Sequence, residues 1–358
     1  MLSAEDLNQL AELAERKRRG DQQDETAFYD LTAVSRILPV LYSQRYEYFL
    51  EVGVRVLSRI GVANRVLDFG CGAGILTTFY ARHCPDTQFV GIDRSPGSIA
   101  AAQSKAAELG LRNVRFECRD MEVEALDGSY ECIISTHAMV QAEQEPGLPS
   151  LSWTTFERAQ QEGQQAAFEQ RTGIGVRVDR LIGMLSSGGR LVIFEKTRQL
   201  ARRVPFQRAL ARRGIQLVEP PEAVRYRLVE EVADDGPFFV VQQGASYSYA
   251  WNETPEPDEG LPFNRAMRRS APHDAHIPLY ENHWPSAQGV WERLTDRLVR
   301  QEETRGEADG RQLHVELGSA EGLIYLYCAN TFDQRQLILV EESRSGMLES
   351  YYREIFAS

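Results

Sequence analysis

From Arg65 onward the chain alternates between two hydrophobic periods. The apolar runs RVLDFG, QFVGID, VRFECRD, YECIIST and GRLVIFE read as short buried strands, while AGILTTFYARHC and PGSIAAAQSKAAELG carry helical spacing. Strands separated by helices of this length predict a parallel sheet covered on both faces. The stretch from Met139 to Gly188, which holds Trp153 and Phe156, predicts a long helical connection. Pro205 to Arg213 predicts a short helix stopped by Gly214. Val224 to Val229 and Phe238 to Gln242 predict a hairpin that completes the sheet.

Both flanks read differently. Residues 3–19 predict a helix, with Ser3 as cap, Glu5 in its first turn, Leu7, Leu10 and Leu13 on one face, and Arg18, Arg19 and Gly20 at its end. Residues 33–60 predict a second helical stretch, rich in aromatics (Tyr42, Tyr46, Tyr48 and Phe49). Beyond the core, the Pro- and Gly-bearing segment WNETPEPDEGLP predicts a linker. A helix near Val290 to Arg300 then precedes the strands QLHVELG, GLIYLYCAN and RQLILVEE, an expected meander, and a last helix over Gly346 to Phe356. The resulting division is an N-terminal helical cap (1–60), a nucleotide-binding α/β core (61–245) and a small α+β accessory region (246–358).

Composition narrows the function classes. Hydrophobic residues make up 42% and charged residues 26% of the 358, which suits a globular chain able to bury a large core. The formal net charge of −12 repels phosphate backbones and argues against nucleic acid as substrate. Arg202, Arg203, Arg208, Arg212 and Arg213 form a local exception, expected as the polar face of an amphipathic surface helix whose other face carries Phe206, Ala209 and Leu210. The five cysteines are scattered and show no CxxC pairing, so a reducing, cytoplasmic setting is expected. The opening segment has no apolar stretch of signal-peptide type, and no apolar run approaches membrane-spanning length. His273, Asp274, His276 and His283 match no metal template, and a solvated loop with no metal is the expectation.

The candidate chemistry lies where strand meets glycine. Val66-Leu67-Asp68-Phe69-Gly70-Cys71-Gly72-Ala73-Gly74 runs from a strand through a glycine loop into a helix, a pattern that lets backbone N–H groups approach a ligand closely. Asp93 ends the second strand, where a carboxylate can accept both hydroxyls of a ribose. The dinucleotide fingerprint G-x-G-x-x-G/A fails at its last place, occupied by Ile75.

DFGCGAG, then GID, then RD resembles motifs I, II and III of the class I S-adenosylmethionine (SAM) dependent methyltransferases, and the similarity extends from about Arg65 to Gln243. That resemblance implies a doubly wound, seven-stranded Rossmann-like methyltransferase sheet whose last strand is antiparallel, with SAM as cofactor. It implies that Asp68, Gly70, Cys71, Gly72 and Gly74 surround the methionine part of SAM. Asp93, with Arg94 beside it, would hold the ribose, Asp120 and Met121 the adenine, and Thr136 would face the methionine end. The N-terminal helices and the connection after the fourth strand usually form the lid in this family, so Tyr29, Tyr42, Tyr46 and Trp153 are candidate walls of an acceptor pocket. The fourth strand ends in Ser135-Thr136-His137 and lacks the Asn/Asp-Pro-Pro-Tyr/Phe signature that looks like methylation of the exocyclic amines of bases or of glutamine.

Methyl transfer from a sulfonium needs mainly in-line positioning, and a base helps where the acceptor is a hydroxyl, protonated amine or carbon acid. His137 is the residue suited to that at neutral pH, and Glu195, followed by Lys196, is a second candidate at the same sheet edge. The expected function is methyl transfer to a small molecule, such as a secondary metabolite. A protein or RNA acceptor, or SAM binding without turnover, are the alternatives. A homodimer is compatible with the sequence.

Overall fold

The computed structural model describes residues 2–18, 22–124, 128–140, 162–197, 200–229, 231–245, 248–251, 279–283, 286–306, 312–330 and 335–357. Trp153, Phe156, the 252–262 segment, His273, Asp274 and His276 lie outside them, as does the side chain of His283. The chain forms two compact units: one comprises residues 1–145, 166–198 and 206–251, the other 146–165, 199–205 and 252–358.

The first unit opens with helices α1 (Ala4–Arg18), α2 (Gln22–Thr32), α3 (Leu38–Ser43) and α4 (Tyr46–Ile60). The single helical stretch expected over 33–60 is therefore two helices, and α2 precedes them. Pro39, in the first turn of α3, has no N–H to give to the carbonyl of Ser35, so helix begins only at Leu38, and the break between α3 and α4 falls at Gln44 and Arg45. The segment QQDETAFYDLT of α2 has too few apolar positions to announce itself. Helix α4 shows the reverse: Tyr48, Val52, Val56 and Ile60 recur every fourth residue and are all buried. Val52, Val56 and Ile60, fully removed from solvent, contribute about 1.5–3 kcal/mol each.

The sheet follows as β1 (Arg65–Phe69), α5 (Ile75–His83), β2 (Gln88–Asp93), α6 (Pro96–Glu108), β3 (Val114–Cys118) and β4 (Tyr130–Thr136). After α7 (Glu162–Thr172) and α8 (Ile174–Gly183) come β5 (Leu185–Phe194), α9 (Leu200–Ala211), β6 (Ile215–Leu217), β7 (Glu222–Leu228) and β8 (Glu231–Gln243). The strand order is β3-β2-β1-β4-β5-β8-β6, with β7 also on β8. β1 to β5 pair parallel, and β8 is antiparallel to β5, β6 and β7. β5 takes one edge of β8 at 238–242, so β6 (against 241–243) and β7 (against 231–238) must share the other edge end to end. The eight strands thus fill seven positions. The doubly wound, seven-position α/β fold with an antiparallel last strand is the one expected from the sequence.

Helix α9 differs from expectation in two ways. It begins at Leu200, so Pro205 lies inside it, and Arg202 and Arg203 are 7% and 1% exposed. Arg213 is held by Glu169 and Asp179 at 2.9 and 2.6 Å. Buried Arg202 and Arg203 and ion-paired Arg213 thus do not belong to a solvated basic face, whereas Arg212 is exposed.

The second unit contains β9 (Tyr280–His283), α10 (Ser286–Arg293), β10 (Leu298–Gly306), β11 (Gln312–Ala320), β12 (Leu323–Asn330), β13 (Arg335–Glu341) and α11 (Ser345–Ala357). Its antiparallel sheet runs β10-β11-β12-β13-β9. The expected meander is its centre. The helix expected over 290–300 ends at Arg293, and Leu298 onward is the edge strand β10, paired with β11. Alternation along β12 puts Tyr325 and Tyr327 into a cluster with Trp291 of α10, and Ile324 and Leu326 into one with Leu348 of α11. Trp291 and Tyr327 stack with ring centres 4.1 Å apart. Among the described residues, no helix is long and apolar enough to cross a membrane.

Candidate active site

In an open α/β sheet, ligands bind beyond the carboxyl ends of the strands where the winding direction reverses. Here that point lies between β1 and β4, and a depression opens there. It is lined by Asp68, Gly70, Cys71 and Gly72 from β1 and its loop, Asp93 and Arg94 after β2, Asp120 and Met121 after β3, and Thr136 and His137 after β4. Tyr29 and Tyr42 line it from the helical cap. Tyr46 does not: it is 67% exposed.

The loop after β1 is anchored by Gly70 and Cys71, whose N–H groups both donate to the Ile92 carbonyl at 2.9 and 3.0 Å. Gly70 has φ +70°, and a Cβ there would come 2.2 Å from Ala138 Cβ, so the loops after β1 and β4 can only meet at a glycine. Gly72 (φ +52°) faces open space, leaving its backbone accessible to a ligand. Gly74 is different. It does not line the depression, and a Cβ on it would strike Ala102 and Phe116 at 2.7 and 2.9 Å. Its task is to let α5 start close to α6 and β3. Burial pushes the Cys71 thiol well up, so this cysteine is uncharged.

Two carboxylates meet the depression in different states. Asp93 Oδ2 accepts from the Gly72 N–H and Oδ1 from the Ser95 N–H, both at 2.9 Å. Each oxygen retains a lone pair. Asp68 is 2% exposed; its Oδ2 accepts from Thr77 Oγ1 at 2.5 Å, while the buried Oδ1 has no hydrogen-bond partner among the described residues. Burial raises its carboxyl to about 7. An orphaned acceptor at a cavity wall suits an ammonium, and free lone pairs on Asp93 suit two vicinal hydroxyls. Buried Met121, with Asp120 beside it, offers a flat apolar surface for a base. These residues fit SAM.

α2 roofs this region through two contacts: Asp30 Oδ1 accepts from Ser95 Oγ at 2.6 Å and Gly97 N at 2.8 Å, and Glu25 pairs with Arg94. Arg94 is therefore engaged by the cap. From below, Arg177 of α8 donates to the Met139 carbonyl at 2.8 Å and pairs with Glu122.

His137 occupies the left-handed region (φ +54°), uncommon for any residue with a Cβ, while its N–H donates to the Phe194 carbonyl at 2.8 Å. The backbone conformation aims the imidazole between Tyr48 (ring centres 5.2 Å apart, 22° between planes) and Phe194 (5.1 Å). Nε2 lies 3.2 Å from Asp235 Oδ2, close enough for the carboxylate's charge to favour a proton on that nitrogen. Tyr226 donates its hydroxyl to the same carboxylate oxygen. Burial lowers the His137 pKa; Asp235 opposes this, and the charges of Lys196 and Arg45 add to it. The imidazole is thus neutral at pH 7. Burial alone would raise the Asp235 carboxyl, but His137 and Tyr226 hold it well below the usual range.

Glu195, 1% exposed, accepts the N–H groups of Ala138 and Met139 on one oxygen at 2.7 and 2.6 Å, and burial raises its carboxyl to about 7. That oxygen clamps the loop next to His137. Sequence reasoning passed over Asp235, Tyr226 and Arg177, none of which sits in a recognisable motif. A second cavity of ≈ 740 Å³ adjoins the first and shares Glu25, Tyr29, Tyr42, Arg45, His137 and Val140 with it. Its volume falls in the range of about 300–1,000 Å³ typical of ligand pockets.

A family model described as a methyltransferase domain matches residues 66–152. The malonyl-[acyl-carrier protein] O-methyltransferase of Bacillus cereus is 35% identical over 71 residues, covering 20% of this chain and 25% of that protein. The release factor glutamine methyltransferase of Salmonella typhimurium is 29% identical over 146 residues (39% and 51%), and aklanonic acid methyltransferase of a Streptomyces species 32% over 98 residues (26% and 44%). The chain spans between a quarter and about half of the length of these relatives. Among solved structures, magnesium protoporphyrin IX methyltransferase from Synechocystis PCC 6803 with bound SAM aligns with a TM-score of 0.44 at 16% identity, covering 63% of this chain and 99% of that one. Strand order, glycine loop and family match together identify the α/β core of this chain as a class I SAM-dependent methyltransferase domain.

Proposed function

We propose that the protein transfers a methyl group from SAM to a small-molecule acceptor by direct displacement, with His137 as general base. The observation that carries this reading is the His137 imidazole standing in the wall shared by the two cavities, one fitted to SAM and the other open to an acceptor. SAM supplies the methyl group and a neutral leaving thioether. The chain's own residues do the rest. Asp93 holds the ribose hydroxyls through its free lone pairs, and Asp68 Oδ1 accepts from the amino group. Gly70, Cys71 and Gly72 bring backbone close to the methionine part, with Gly74 shaping the loop from beneath. Asp120 and Met121 flank the adenine, Arg94 steadies the cap, and Thr136 positions the methionine end. Asp235 holds a proton on Nε2 of His137, which leaves Nδ1 to accept the proton of an acceptor hydroxyl as the new bond forms. Glu195 acts as a positioning residue through the Ala138 and Met139 amides. Tyr29 and Tyr42 wall the acceptor side.

Several relatives are release factor glutamine methyltransferases, which favours a protein acceptor as the second reading. Against it, Ser135-Thr136-His137-Ala138 stands where the amide-methylating signature would be. Incubating the protein with methyl-labelled SAM and host lysate, then separating small molecules, protein and nucleic acid, decides between them. Label among small molecules is expected, lost in a His137→Asn control. Label in protein moves the acceptor to the second reading; no label with SAM bound removes the transferase assignment.

Asp68 gives the site a pH signature. Its carboxyl ionises at about 7 in the unliganded protein, so an ammonium ligand must displace a proton below that pH. The sign follows directly: affinity for S-adenosylhomocysteine (SAH) rises with pH, by close to an order of magnitude between pH 6 and 7.5, then flattens. Calorimetric titrations across this range should show the rise in the native protein and none in Asp68→Asn. The same slope in both proteins would place the titrating group elsewhere.

A further inference from the structure

The second cavity mixes apolar walls with charged groups, and the charges not tied to a partner in contact are of one sign. Phe28, Tyr29, Leu41, Tyr42 and Leu228 supply apolar and aromatic surface. Its two carboxylates are committed: Glu25 to Arg94, and Glu195 to the backbone of 138–139. Arg45 and Lys196 are not. Both line the cavity, and among the described residues neither side chain has a hydrogen bond or a contact ion pair, although the Lys196 charge also helps to lower the Asp235 carboxyl. Each also acts on His137, lowering its proton affinity, so both charges stand near the imidazole. In a chain with a net charge of −12, two unpaired cations converging on one cavity are not the statistical expectation. Unpaired cations over an apolar cleft concentrate anions there.

We infer that the methyl acceptor is an anion, a small molecule with an acidic group on an apolar or aromatic body, and that Arg45 and Lys196 bind that acidic group while His137 faces the atom to be methylated. The inference rests on the methyltransferase reading above and gives its acceptor a chemical class. It also accounts for how a small anion enters a protein of strongly negative charge: the local field at the cavity mouth is opposite to that of the surface at large.

The test uses the full-length protein saturated with SAH. Two isosteric probes, 6-hydroxy-2-naphthoate and 6-hydroxy-2-naphthamide, are titrated calorimetrically. The naphthoate should bind about tenfold tighter than the amide, because a hydrogen bond between charged groups is roughly twice as strong as a neutral one. Arg45→Gln and Lys196→Met should each narrow that ratio, and the double variant should bring it close to one. The amide's affinity serves as the internal check that the cavity is intact, and Arg45→Lys should keep the preference. Equal binding of both probes, no binding of either, or an unchanged ratio in the double variant would overturn the inference. The preceding SAH titration separates the two levels: SAH bound without acid preference removes only the anionic acceptor, whereas no SAH binding removes the methyltransferase reading and this inference with it.

Discussion

His137→Asn should lower turnover by about 10²–10⁴-fold, the usual contribution of a positioned general base, while leaving SAH affinity within a few-fold of native. Asparagine is the informative replacement. At φ +54° most side chains would strain the loop after β4, whereas asparagine is among the residues that tolerate this conformation. The Glu195 clamp on Ala138 and Met139 and the His137 N–H bond to Phe194 are backbone contacts, so they survive the substitution. What disappears is the imidazole, wedged between Tyr48 and Phe194. Retained turnover would mean that the acceptor reacts without a base, and His137 would then be a packing residue.

Asp235 extends the same test to a group that never touches the acceptor. Its carboxylate raises the proton affinity of His137 and selects the Nε2–H tautomer. Asp235→Asn should therefore lower kcat and also move the acid limb of the pH–rate profile to lower pH, since the imidazole loses the charge that opposes its burial. A purely structural role would reduce the amount of folded protein without displacing that limb.

The pair also shows what the sequence could and could not disclose. The glycine loop, Asp68, Asp93 and Asp120 were legible because each sits at the end of its own strand, where local pattern places it. Asp235 was not. It lies within the 13-residue strand β8, the fourth strand after β4 along the chain, and reaches His137 only because β8 folds back antiparallel beside β5. No local period encodes that approach. Helix α2 was missed for a different reason: its segment has few apolar positions, and Asp30 and Glu25 dock it on the loop after β2, a long-range contact that no local pattern announces. Arg202 and Arg203 misled in the opposite sense, since a run of arginines reads as surface until packing buries it. Residues 298–300, expected as the end of a helix, instead begin β10, because pairing with β11, not their own sequence, decides their conformation.

Asp93→Ala should weaken SAH binding by roughly tenfold to more than a hundredfold, the equivalent of the 1.5–3 kcal/mol carried by hydrogen bonds to a charged group. Two losses add. The ribose loses its acceptor, and the Gly72 N–H loses the 2.9 Å bond that fixes the loop beneath the methionine part. Asp93→Asn should fall between native and alanine: a single amide oxygen can serve Gly72 or Ser95 but not both. Fragments separate the two halves of the site. 5′-Methylthioadenosine carries the ribose and base without the amino acid, so Asp93→Ala should weaken it about as much as SAH. Asp68→Asn, which removes the acceptor for the amino group, should weaken SAH and leave methylthioadenosine unchanged. If both substitutions weakened both ligands equally, the two carboxylates would be shaping one loop and not reading separate parts of the cofactor.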